Sequence, residues 1–325
     1  MKKLNPLFLF VTLLALVVSG CEPPGGQPAA NPAAAWVLSE GRWESYTTDA
    51  GLPSNRITAL AVDAEGHLWV GTDRYGGRLD DGTWVDIVAI ATFDIALDDE
   101  GRVWFLDGQG VEVYEQGALT THGTYGELST TGADAILVDS QDRIWVGLWG
   151  GIALSEGGQW RNIDTTDLFG TLVWDLAEEP SGAIWAVGEG GCARFDGTTW
   201  KSMTPPDQPA SLTMNCVASD PSGRVWLGGK QVGAWVWDGE GWTQYTSADG
   251  LAGDTVWAIA LDGANRVWLG TSGGLSVFDG ETWTTYTVED GLVHNDVRAL
   301  AIVDDGVWIG TWGGLNHLVF ASGSE

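Results

Sequence analysis

The sequence predicts an all-β fold, a seven-bladed β-propeller of four-stranded blades, and three observations predict it. A Trp-centred strand recurs seven times, the tracts between copies are β-branched and aromatic with Gly and Asp punctuation, and the two ends of the array are complementary fragments. The copies read HLWVGT, RVWFLD, RIWVGL, AIWAVG, RVWLGG, RVWLGT and GVWIGT. They place Trp69, Trp104, Trp145, Trp185, Trp226, Trp268 and Trp308 in register, at a period of about forty residues. That period, filled with short strands and turn residues, corresponds to one four-stranded blade per copy.

Each unit justifies its elements in the same order. An apolar strand such as residues 57–62 comes first, then a tight Asp-x-x-Gly turn (Asp63 to Gly66, Asp220 to Gly223). The Trp strand follows, then a Gly-rich turn (Gly150-Gly151, Gly273-Gly274, Gly313-Gly314), a short third strand and Asp-Gly. A fourth strand carries a second Trp: Trp84, Trp160, Trp200, Trp242 or Trp283. Asp side chains that bond their own backbone, and Gly at positive φ, suit these turns. The 20 Trp are therefore expected to be mostly wedges between blades. Blade two is the irregular member: the 35-residue spacing from Trp69 to Trp104 predicts that it is short, and Gln116-Gly117-Ala118-Leu119 replaces the usual Gly-x-x-Trp. The last copy stops after a third strand ending at Phe320, whereas the array begins with a lone fourth strand, Glu40 to Tyr46. Pairing the two closes the ring and removes two exposed edges.

The pattern Gly-Leu-Pro-Ser-Asn (51 to 55), Asp-x-x-Gly and Leu-Trp-Val-Gly-Thr (68 to 72), echoed at Gly250-Leu251 and Gly291-Leu292, resembles the two-component-regulator propeller repeat. The resemblance covers Trp36 to Phe320. It implies a ligand-binding propeller of the kind found in the extracytoplasmic sensor half of hybrid histidine kinases, many of them tied to polysaccharide uptake. This chain has no recognisable kinase or regulator segment, so the resemblance implies binding without carrying over signalling.

The first residues predict export. Lys2 and Lys3 precede an apolar run from Leu7 to Val18, too short to span a bilayer comfortably. The run ends in Val18-Ser19-Gly20-Cys21, which resembles a bacterial lipobox and makes Cys21 the expected lipidation site. The resulting organisation is a signal peptide over 1–20, a Pro/Ala/Gly-rich tether over 21–35 and the propeller over 36–325. Glu22, in place of an Asp retention signal, favours the outer membrane or cell surface. Contact with the membrane is expected through the anchor only.

A formal net charge of −29, from 15 basic and 44 acidic residues, opposes nucleic acid and anionic lipid surfaces. Cys192 and Cys216, the thiols left beside Cys21, fall in slots that other blades fill with apolar residues, so two buried, unpaired thiols are expected. No nucleophile elbow, zinc motif or phosphate loop occurs, and no cofactor or metal is expected. One or two carboxylates per Asp-x-x-Gly turn fall short of a calcium cage.

Comparing the seven copies locates the expected function. The second residue of the first strand varies freely: Thr58, Phe93, Asp134, Trp174, Asn215, Trp257 and Arg298. So does the residue opening the second-to-third-strand turn, read as Asp73 (with Arg74 and Tyr75), Asp107, Trp149, Glu189, Lys230, Ser272 and Trp312. Both rings are expected at one mouth of the central channel, where aromatic plates beside polar selectors suit a small ligand. The expectation is a monomeric, surface-anchored protein that captures or senses a carbohydrate or other small extracellular ligand, feeding a separate transporter or sensor protein. The alternatives are a protein-interaction scaffold and a propeller lyase using His294, in a blade-to-blade loop, with Glu189.

Overall fold

Residues rich in Val, Ile, Leu and Trp form strands buried on both faces. The Trp-bearing strands Leu68–Thr72, Val103–Asp107, Ile144–Leu148, Ile184–Gly188, Val225–Gly229 and Val267–Thr271 are buried at every position. The outermost strand of blade three, Gln159–Ile163, is instead exposed at Gln159, Arg161 and Asn162 and half-buried at Trp160 and Ile163. This gradient is what a radial stack of sheets requires, since each blade hides its inner strands between two neighbours. The computed structural model describes residues 36–320 apart from 37, 81, 129, 131, 209 and 210. The signal peptide, lipidation site and tether read from the sequence lie outside the described residues.

The described residues form seven four-stranded antiparallel sheets, as the repeat predicts. The innermost strands are Ile57–Val62, Thr92–Leu97, Ala133–Val138, Val173–Glu178, Met214–Ser219, Val256–Leu261 and Val297–Val303. Each contacts the next, and the seventh contacts the first, so they enclose the channel.

Closure follows the expected route. Arg42–Tyr46 pairs antiparallel with Leu315–Val319, in register from Arg42 opposite Val319 to Tyr46 opposite Leu315. Asn316 fastens the joint: its amide donates to Ser45 Oγ at 2.9 Å and Glu44 O at 3.2 Å, and its oxygen accepts Val293 N–H at 2.9 Å. Trp36 stacks on Phe320 at 4.8 Å, and the Tyr286 hydroxyl donates to Leu38 O at 2.6 Å. Trp43 lies on Gly291, where a Cβ would come within 2.6 Å of its ring. Gly250 meets Trp283 in the same way, and Gly51, Gly250 and Gly291 all adopt positive φ, which explains the recurring Gly-Leu start of the repeat.

The Asp-x-x-Gly turn, with Asp142 and Asn265 at positive φ in the Gly place of blades three and six, does more than cap a hairpin. In blade three Asp139 Oδ1 accepts backbone N–H groups of Gln141 and Arg143, while Oδ2 accepts Arg143 Nε at 2.6 Å and Trp145 Nε1 at 2.7 Å. Asp98 and Asp262 repeat the arrangement with Arg102 and Trp104, and with Arg266 and Trp268. One carboxylate thus ties turn, guanidinium and wedge together, and satisfies a buried indole that would otherwise be costly. The short Trp69-to-Trp104 spacing comes from the link between blades one and two, where Thr92 follows closely on Val88, whereas the fourth strand of blade two, Ala118–Thr124, is full length. Cys192 and Cys216 are buried and unpaired.

Candidate binding site at the channel mouth

A register shift at the start of every innermost strand builds the site. It falls between Ile57 and Ala59, Thr92 and Asp94, Ala133 and Ala135, Val173 and Asp175, Met214 and Cys216, Val256 and Ala258, and Val297 and Ala299. The residue skipped each time is the variable second position: Thr58, Phe93, Asp134, Trp174, Asn215, Trp257 or Arg298. A bulge frees its extra residue from the ladder and re-aims its side chain, which is why this position is exempt from the packing rules of its neighbours.

Backbone hydrogen bonds bring the second ring to the same rim. The N–H groups of Asp73, Trp149, Lys230, Ser272 and Trp312 donate to the carbonyls of Arg56, Gly132, Thr213, Thr255 and Asp296, each just ahead of its own blade's innermost strand. Glu189 N–H does the same to Leu172 O. Asp107 needs correction: it pairs with Thr92, as Leu148 pairs with Ala133, so Gly108 holds the rim position in blade two. Every other rim residue lies four positions after the Trp of its strand, whereas Asp107, counted from Trp104, lies at three. Its side chain is fully buried and accepts Gln109 N–H at 2.7 Å.

The exposed large aromatics of the rim are Trp149 (51%), Trp312 (41%), Phe93 (38%) and Tyr75 (37%). Trp149 rests on Gly132, and its indole N–H donates to Asp134. Trp312 carries two guanidinium groups over its ring, Arg298 at 4.0 Å and Arg56 at 4.5 Å. Arg298 also sits 3.7 Å over Trp257 and bonds Asp296 through two contacts of 2.8 and 2.9 Å. Arg56 pairs with Asp73 at 3.7 Å, and Ser54 Oγ donates to Asp73 at 2.6 Å. Blades six, seven and one therefore contribute an interlocked layer of alternating indoles and cations. Arg74, Lys230 and Glu189 are exposed, and Trp174 is half-buried.

Two of the variable residues act as staples between blades. Thr58 Oγ1 donates to Thr92 O at 2.5 Å, and Asn215 Nδ2 to Val256 O at 2.8 Å. The residues after the bulge include stronger staples that sequence reading missed. Asp94 accepts Ile95 N–H and, from the next blade, Ile136 N–H, each at 2.8 Å. Asp175 does the same for Leu176 and Val217, at 2.8 and 2.9 Å. A usable signal existed: both are Asp in a slot otherwise held by Ala or Cys. Burial, opposed by these hydrogen bonds and reinforced by the charge of Asp175, pushes the Asp94 carboxyl well above its usual range.

His294 is exposed, and its Nδ1 accepts the N–H of Asp296 at 3.0 Å. It precedes blade seven while Glu189 belongs to blade four, so the pair sits on well-separated parts of the ring. Asp63, Glu65 and His67 bring ligand atoms within 4.8 Å of one another on the opposite face. There His67 takes the place of the Arg in the Asp139–Arg143 pair, so the group repeats the structural turn described above. In blade two, burial and a hydrogen bond to Asp107 push the Glu112 carboxyl up to about 7.

Residues 51–74 and 250–273 match the model of the two component regulator propeller. No curated protein sequence matches the chain. Among solved structures, it is similar to the extracellular domain ascribed to a hybrid two component system of B. thetaiotaomicron, with TM-score 0.74 and 17% identity over 86% of this chain. It covers only 41% of that longer protein domain. Virginiamycin B lyase from Staphylococcus aureus is similar at TM-score 0.73 and 12% identity, over 87% of this chain and 99% of the lyase. PorZ, a surface component of the type-IX secretion system of Porphyromonas gingivalis, is similar at TM-score 0.65 and 18% identity, over 84% of this chain and 48% of PorZ. At these identities the likeness is one of fold, and proteins with different tasks share it.

Proposed function

The chain carries two-component regulator propeller repeats, and from that premise we propose that it is a ligand-binding propeller, anchored at the cell surface through Cys21. In this reading it captures or senses a carbohydrate or another small extracellular molecule at the channel mouth and passes it, or the signal, to a separate transporter or sensor protein. One observation carries the reading: every blade bulges at the same place, and the rim so formed exposes Trp149, Trp312, Phe93 and Tyr75, which no packing rule requires there. Aromatic faces stack on sugar rings, and Arg74, Lys230 and Glu189 supply polar selection beside them.

A glycan and metabolite array probed with the purified protein tests this, followed by titration of the Trp149→Ala/Trp312→Ala variant. Each truncation should cost about 1–3 kcal/mol of binding, the range for a well-seated interface aromatic. Melting should fall by only a few degrees, since both rings are already half exposed. Unchanged affinity in the double variant would place the site elsewhere. Capture of a protein partner with no small ligand would favour the scaffold.

A further inference from the structure

Blades three and seven fill the same two rim positions in opposite senses. In blade seven they hold Trp312 and Arg298, and the aromatic finds its cation within the molecule. That cation is fully matched: Arg298 lies between Trp257 and Trp312 and is held by both oxygens of Asp296. In blade three the positions hold Trp149 and Asp134, joined by the indole N–H, with half of the Trp149 surface open. Here the anion and the aromatic are present, and among the described residues no cation meets them. No Lys, Arg or His occurs in the rim loops of blades two to four, residues 107–110, 125–132, 148–151, 164–172 and 188–191. Glu189 belongs to the same arc, because Trp149 bridges Leu172 and Leu172 O accepts the Glu189 N–H.

We propose that the blade-three side of the mouth binds a protonated amine carried on a small ligand, seated against Trp149 with Asp134 and Glu189 as its counter-charges. The inference rests on the mouth being the binding site and adds the chemical class. Blade seven shows what the fold does with such plates: a cation over an indole, fixed by a carboxylate, the combination that recognises ammonium groups elsewhere. Burial already holds Asp134 above its ordinary range, as expected of a carboxyl with no positive partner. A sugar amine and a lysine side chain share this chemistry, and the test separates them.

The probes are a glucosamine disaccharide, its N-acetylated counterpart and a lysyl dipeptide, titrated by calorimetry into the full chain. The Trp149 and Trp312 indole N–H resonances are followed alongside. The amine-bearing disaccharide should bind at least about tenfold more tightly than the acetylated one, an energy within reach of one desolvated charge pair. Asp134→Asn should erase that difference, bringing the affinity of the amine-bearing form down to that of the acetylated one. The variant keeps an acceptor for the Trp149 indole, and Asn215 stands at the equivalent place in blade five, so the fold accepts the residue. A lysyl dipeptide that alone shows the Asp134 dependence supports the amine and assigns it to a peptide. Equal binding of the two disaccharides, a preference that survives Asp134→Asn, or no binding of any amine overturns the proposal. If a neutral glycan shifts the indole signals with no amine preference, the cation falls and the mouth stands. If a ligand binds and leaves both signals in place, the mouth itself falls.

Discussion

Deleting residues 36–47 should unfold the ring, and the structure supplies the magnitude. The deletion removes the whole of Arg42–Tyr46 and strips Leu315–Val319 of its partner along the register from Arg42 to Tyr46. It also removes Trp36, which is only 6% exposed against Trp268 and Phe320, together with Trp43 and Tyr46. Three aromatics burying on the order of 100–200 Å² each, at about 25 cal/mol per Å², amount to roughly 10 kcal/mol. Compact unfolded chains make that an upper figure, yet it matches the entire stability of about 5–15 kcal/mol typical of a domain. The loss of the clasp also leaves Asn316 without Glu44 O and Ser45 Oγ. Thermal melts followed by near-ultraviolet circular dichroism, with size-exclusion chromatography, should show a lost or much broadened transition and aggregation. Removing residues 22–33, in the Pro/Ala/Gly-rich stretch, should leave the transition in place. A cooperative melt within about 5 °C of wild type after the 36–47 deletion, equivalent to only about 2 kcal/mol, would refute closure by this strand.

Cys21→Ser should abolish incorporation of labelled palmitate and membrane partitioning; a variant that still does both removes the lipobox. Trp268→Ala, at a fully buried wedge whose Nε1 donates to Asp262 at 2.8 Å, should cost about 3–5 kcal/mol of stability, read from denaturant midpoints. Glu112 should give the protein a pH signature. Its carboxyl is raised from 4.5 to about 7, so the folded state keeps a proton that the unfolded chain releases, and stability is lost as pH rises through that window. Glu112→Gln should match wild type at pH 4 and melt higher at pH 8, and parallel melting curves from pH 4 to 8 would rule this out.

Repetition made most of the fold legible, and it also marks where legibility stops. Each blade solves the same packing problem, so the Trp wedges, Asp turns and Gly-Leu starts recur and could be read as structure. By the same logic Asp134, Trp149, Arg298 and Trp312 stood out, because position by position they refuse the consensus. What a repeat cannot encode is the partner. The bulge itself leaves no sequence mark, since the skipped residue takes any type from Thr58 to Trp257, and without it the outward aim of that ring has no cause. Asp94 and Asp175 looked like interruptions of apolar strands, yet each reaches a backbone N–H of the next blade, a contact across about forty residues that no local pattern records. The Arg298 stack depends on an angle between blades six and seven, so the sequence offered two bare plates where the fold has one open and one engaged. That asymmetry is the functional clue. A ring whose seven blades were under packing constraint alone would fill equivalent rim positions interchangeably. Here blades seven and one pair Arg298 with Asp296 and Arg56 with Asp73, whereas among the described residues no cation meets Asp134 or Glu189, and it is on that arc that the proposed amine selectivity rests.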